Sequence, residues 1–190
     1  VVLNDVVWQT PYSLTLQAYS DIIVLANLRN DYQGAITADN DASINLIAGW
    51  DGTIGSFATL TGTQSPTHYG GNGNGSVLIG SADMTQNATV GSRKGDVRVA
   101  GYDVKLQAST AVDFRIAQVG YSGIDAAGNI TLYARHNVSL TSGSPGTYAQ
   151  IGHGLSNLAS SAGFRGDISI HLTGSDTSVL LQANGGQTQI

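Results

Sequence analysis

The chain is 190 residues long, enough for one domain, and carries a formal net charge of −5 from 13 acidic and 8 basic side chains. It has no Cys, and no apolar run nears the roughly 20 residues of a membrane helix; this excludes disulfide and thiolate chemistry and a helical span within this segment. The longest basic run is Arg93-Lys94, read as a solvated turn, so no nucleic acid is expected as a partner, because such a partner needs a clustered basic surface.

From the N-terminus, VVLNDVVWQTPYS lacks the basic region of a signal peptide. A short phrase then recurs: Gly or Ser, any residue, an aliphatic, any residue, an aliphatic. It opens at Ser13 (SLTLQAYSDIIVLA), Gly34 (GAITADNDASINLIA), Gly75 (GSVLIG), Gly95 (GDVRVAGYDVKLQA), Gly128 (GNITLYARHNVSLT) and Gly166 (GDISIHLTGSDTSVLLQA). The intervals from Ser13 to Gly34 and from Gly75 to Gly95 suggest a unit of about 20 residues, and Gly34 to Gly75 spans two such units with one opening unmarked. The longer intervals, Gly95 to Gly128 and Gly128 to Gly166, fit either two short units or one unit with a long loop. A second phrase, an aliphatic followed by Gly, marks Ile54-Gly55, Val90-Gly91, Val119-Gly120 and Ile151-Gly152.

Within the openings the alternation has period two. Val97, Val99, Val104 and Leu106 share one face, with Asp96, Arg98, Asp103 and Lys105 on the other. Ile130, Leu132, Val138 and Leu140 repeat the pattern, then Ile168, Ile170, Val179 and Leu181. Such alternation, broken by Gly, Asn and Asp, predicts strands. All the acidic residues are Asp, which favours turns, while 25 Gly against 3 Pro suits tight corners. The stretch from Leu155 to Ala162 is read as a loop, with a short helical turn as its alternative.

Short strands recurring in units of about 20 residues predict an all-β parallel β-helix, a solenoid with longer loop excursions at about residues 56–74 and 152–165. About nine coils would make a rod of roughly 40–45 Å. Residues 1–190 are read as a single β-helix segment. The closing QTQI echoes the Ala-Gln-Ile and Ala-Gln-Val phrases before Gly152 and Gly120, so the chain is expected to be a piece of a longer repetitive polypeptide. An antiparallel sandwich also suits short strands and frequent turns. Its strands need not resemble one another, whereas these do.

The phrases GDVRVAGYDVKLQAS, GNITLYARHNVSLTSG and TYAQIGHG resemble the haemagglutinin-type repeats of large secreted bacterial adhesins, the filamentous-haemagglutinin-like exoproteins of two-partner secretion. The resemblance covers most of residues 75–190 and, more loosely, 13–60. It implies a right-handed β-helix, export to the bacterial cell surface, and a place in the shaft. It brings no catalytic residues with it.

Several residues invite chemistry. His153, between Gly152 and Gly154, has no second His at ligand spacing, and a zinc site needs three or four convergent ligands; it is read as a turn residue. Asp39 and Asp41 are a candidate calcium pair, but the Gly70–Gly75 run lacks the Asp of calcium-binding nonapeptides. Arg98, Lys105, Arg115 and Arg135 are possible members of a charged cleft, and outward strand charges explain them as well. Eight Tyr offer either a sugar-stacking face or cover for the rod's flank. Trp8 and Trp50 are expected beneath loops. The sequons at Asn87, Asn129 and Asn137 are candidate glycan acceptors; Asn129 and Asn137 lie inside strand phrases and are read instead as turn residues bonding to backbone.

These readings select no catalytic, cofactor or metal residue. The chain is expected to be a non-enzymatic structural or adhesive segment, extracellular or on the cell surface. Its expected partners are a host or cell-surface glycan or protein, neighbouring repeats, or sister fibres. The alternatives are a carbohydrate-active β-helix, acting as polysaccharide lyase or hydrolase, and a self-assembling extracellular filament subunit.

Overall fold

The computed structural model describes residues 1–37, 40–50, 75–154 and 163–190. Among these the chain forms sixteen strands and no helix. The first coil holds β1 (Val6–Trp8), β2 (Leu14–Ala18) and β3 (Ile22–Val24). The second holds β4 (Leu28–Asn30), β5 (Ile44–Ala48) and β6 (Val77–Gly80), the third β7 (Ala88–Ser92), β8 (Val97–Gly101) and β9 (Val104–Gln107). The fourth holds β10 (Ile116–Val119), β11 (Ile130–Ala134) and β12 (Asn137–Ser142), the fifth β13 (Tyr148–Ile151), β14 (Ile168–Leu172) and β15 (Ser178–Ala183). β16 (Gln187–Gln189) begins a sixth turn.

Every third strand joins the same sheet. The first sheet runs β1-β4-β7-β10-β13-β16, the second β2-β5-β8-β11-β14, and the third β3-β6-β9-β12-β15. All neighbours within these sheets are parallel. The molecule is a right-handed parallel β-helix with three faces, in agreement with the fold class expected from the repeats.

The inward positions stack in register. Ile44, Val97, Ile130 and Ile168 form one column, and Val77, Val104, Val138 and Val179 another. Val90, Val119 and Ile151 line the first sheet. All of these are buried except Ile168 and Val179 in the fifth coil. Burying one such side chain is worth about 1.5–3 kcal/mol. A smaller outward cluster covers the second sheet, where Trp50 packs against Ile47, Ala100 and Tyr133. Trp8, like Trp50, is half-buried, and it sits at the edge of the main core.

The stacking corrects the coil count. Gly75 precedes a strand of the third sheet and Gly95 one of the second, so the interval between them is not one full coil from a face back to itself. A coil near the expected length of about 20 residues does occur, since Val6 lies beside Leu28. The later ones are longer because their corners carry loops. Val97 lies directly beside Ile130, and Ile130 beside Ile168, so the intervals from Gly95 to Gly128 and from Gly128 to Gly166 are each one coil. Five stacking steps along the first sheet give roughly 24 Å, rather than the length of nine coils.

Gly120 shows what a corner demands. Its φ is +132°, and a Cβ there would overlap the carbonyl oxygen of Gly152 in the next coil. The aliphatic-Gly phrase therefore marks where one corner's backbone presses on another.

The loop expected at 56–74 and the segment from Leu155 to Ala162 lie outside the described residues.

Candidate binding surface

The rod's corners are joined by side chains that cap the next coil's backbone. Asp96 Oδ1 accepts from the Asn129 amide N–H at 2.8 Å, and Asn129 Oδ1 accepts from Asp167 N–H at 2.9 Å. At the next corner Asp103 Oδ1 accepts from Asn137 N–H at 3.0 Å, and Asn137 Oδ1 from Ser178 N–H at 2.9 Å. Asn87 Oδ1 likewise accepts from Ile116 N–H at 3.1 Å. The three sequon asparagines thus serve as backbone ligands, satisfying donors at or just before each strand's start.

His153 is a staple of the same kind. Its Nδ1 accepts from Tyr121 N–H at 3.1 Å, and its Nε2 lies 3.0 Å from the Gly128 carbonyl, which makes Nε2 the protonated nitrogen. Burial holds its pKa below the ordinary histidine value, against the opposing pull of the Gly128 carbonyl. Both ring nitrogens are engaged, so neither is left for a metal.

Asp41 accepts from the Ser13 hydroxyl and from Ser43 N–H, and Arg98 stands 4.0 Å away. Its candidate calcium partner Asp39 lies outside the described residues. Among the described residues no three His or Asp converge on a metal position.

The four basic residues singled out from the sequence do not gather. Arg98 points outward from the second sheet, bound to Asp96 at 2.6 Å and to Asn45 Oδ1 at 3.2 Å. Lys105 sits on the third sheet, 2.9 Å from Asp103. Arg115 precedes β10 on the first sheet, and Arg135 follows β11 at the corner between the second and third. Burial alone would raise the pKa of Asp103, yet hydrogen bonds from Lys105, His136 and the Asn137 amide outweigh it and hold the carboxyl low.

The tyrosines divide. Tyr121 and Tyr133 are buried against the flank, Tyr102 stacks on His136 with centroids 5.2 Å apart, and Tyr133 stacks on His171 at 4.7 Å. Tyr12 and Tyr19 are exposed.

The structure does gather cations where the sequence suggested only a turn. At the corner between the first and second sheets, residues 31–43 join β4 to β5, 93–96 join β7 to β8, 120–129 join β10 to β11, and 152–167 join β13 to β14. The second connection is much shorter than those of the coils on either side of it. A groove of about 300 Å³ opens there, lined by Gln33, Arg93, Lys94, Asp125, Gly163 and Arg165. Three cations face one carboxylate. Arg93 reaches Asp125 at 3.4 Å, and Lys94 Nζ donates to the Asp125 carbonyl at 3.3 Å. No hydrogen bond or ion pair with a described residue engages the Arg165 guanidinium, although its backbone N–H donates to Ala126.

Sequence reading missed this groove because its walls come from several coils. The dibasic pair alone carries no sign of Gln33 or Arg165, which only the stacking brings near.

No helix of the described residues is long and apolar enough to cross a membrane. No protein-family model, curated protein or solved structure matches the chain.

Proposed function

We propose that this chain is a structural and adhesive segment of a bacterial surface protein, part of a stiff β-helical shaft displayed outside the cell. The observation that carries this reading is the register. One repeated phrase, wound coil upon coil, places equivalent aliphatics directly over one another, from Ile44 through Val97 and Ile130 to Ile168. An arrangement of this kind gives length and surface from few sequence rules, as in other repeat proteins. The likeness of GDVRVAGYDVKLQAS and TYAQIGHG to haemagglutinin-type repeats supports the surface location and the adhesive role.

The test combines location and contact. Antibody raised against the purified chain should label intact cells of the source organism, and the purified chain should adsorb to host or sister cells. Labelling that requires permeabilised cells, together with no adsorption, would oppose the proposal.

A further inference from the structure

We infer that the groove over the β7–β8 turn is a binding site for a carboxylated sugar, held through its carboxylate. The site goes beyond the shaft reading and stands whether or not the rod is displayed on a surface.

The groove holds cationic charge that is not fully spent. Arg29, one coil earlier on the first sheet, is engaged: its Nη2 donates to Asp31 at 3.0 Å and its guanidinium sits over the Tyr121 ring at 5.7 Å. Arg93 is held less closely. Its contact with Asp125 is 3.4 Å, longer than the roughly 2.7–2.9 Å of a charge-assisted hydrogen bond, and its Nε has no partner among the described residues. Arg165 faces the same groove with no described ion-pair partner, and Lys94 spends its ammonium on a neutral carbonyl. On a chain of net charge −5, this leaves a local excess of cations.

The shape selects the ligand. About 300 Å³ is at the lower limit of small-molecule sites, room for one compact group. Guanidinium groups grip carboxylates and phosphates alike through paired N–H donors, and the group already seated against Arg93 in this groove is a carboxylate. Asp125 shows the chemistry in miniature, since its own carboxylate is the groove's internal and loosely held occupant. Gln33 adds an amide that both donates and accepts, suited to ring hydroxyls.

The experiment titrates the intact chain at low salt with glucuronate, glucose, inorganic sulfate and a short Asp-rich peptide, read by calorimetry and NMR shifts. Glucuronate should bind and glucose should not. Arg165→Gln and Arg93→Gln should each weaken glucuronate about tenfold, one lost charged hydrogen bond. Asp125→Asn should strengthen it, because the competing carboxylate is gone while Asn still tolerates the left-handed φ of +56° at that position. A damaged fold would not tighten binding, so this variant separates a site from a structural effect. Arg98→Gln, on the outer side of the second sheet and outside the groove, should leave binding unchanged.

The inference is overturned if glucuronate does not bind, if Asp125→Asn weakens it, or if sulfate binds as tightly. Binding of the Asp-rich peptide without glucuronate would also overturn it, in favour of a protein partner.

Discussion

Val138 and Val179 occupy the same place on the third sheet, in neighbouring coils, one stacked on the other. Val138 is 0% exposed and Val179 is 40% exposed. Nothing in their local phrases accounts for this. HNVSLTS and DTSVLLQA put aliphatics at the same inward positions, and both form six-residue strands. The difference is the second neighbour. β12 is paired on both edges, by β9 and β15, whereas β15 has β12 alone. In a solenoid the burial of a residue is a property of the stack, and each coil stabilises the one beside it.

Depth in the stack should show most strongly in the core itself. Leu132→Ala, in the buried centre of β11, should cost about 3–4 kcal/mol, while the equivalent Ile170→Ala in β14 should cost about half that or less. Denaturant midpoints measure both, and equal losses would deny that the fifth coil is less buried in solution. Glycine corners should follow the same order. Gly120→Ala forces a left-handed φ and an overlap with Gly152, for about 2–3 kcal/mol. Gly185→Ala also has φ positive, at +108°, but its nearest neighbour atom would be 3.3 Å away, so thermal melting should show a smaller loss.

Removing a cap should weigh less. Asn137→Ala deprives Ser178 N–H of its acceptor at an exposed position and should cost about 1 kcal/mol, with hydrogen exchange quickening in β15 and little changed in β9.

Acidification tests the interior corner by sign. His153 is neutral and its folded pKa lies below the ordinary value of 6.5, so the unfolded chain takes up a proton first. Its contribution is complete above about pH 6.5 and is lost as the pH falls from there toward the folded pKa. Asp103 acts in a separate window: its folded pKa lies below 3.8, so its contribution is present above that value and lost as the pH falls through the folded one. His153→Gln should flatten the first step and leave the second; a slope unchanged by the substitution would mean that His153 is not buried as described.

The strand phrases were legible because alternation is local. Val97, Val99, Ile130 and Leu132 declare their inward face within a few residues, and the structure buries all four. The placement of Asn129 and Asn137 as backbone ligands was legible too, since each precedes an aliphatic run. The coil period was harder, because glycines open strands on more than one face. Gly75 and Gly95 look alike in the sequence and stand before strands of different sheets. The cationic groove was not legible at all. Its residues belong to connections of unequal length, and only their stacking sets the short 93–96 turn between longer ones.

The one-coil period also decides how the rod would answer a pull along its axis. Hydrogen bonds between coils lie parallel to that axis, so tension loads them end on and detaches one coil at a time. The coil from Val97 to Ile130 unwinds to roughly 110 Å of extended chain from a rise of about 4.8 Å. Under load such a molecule yields in steps, each released coil lengthening roughly twentyfold while the remaining turns stay wound.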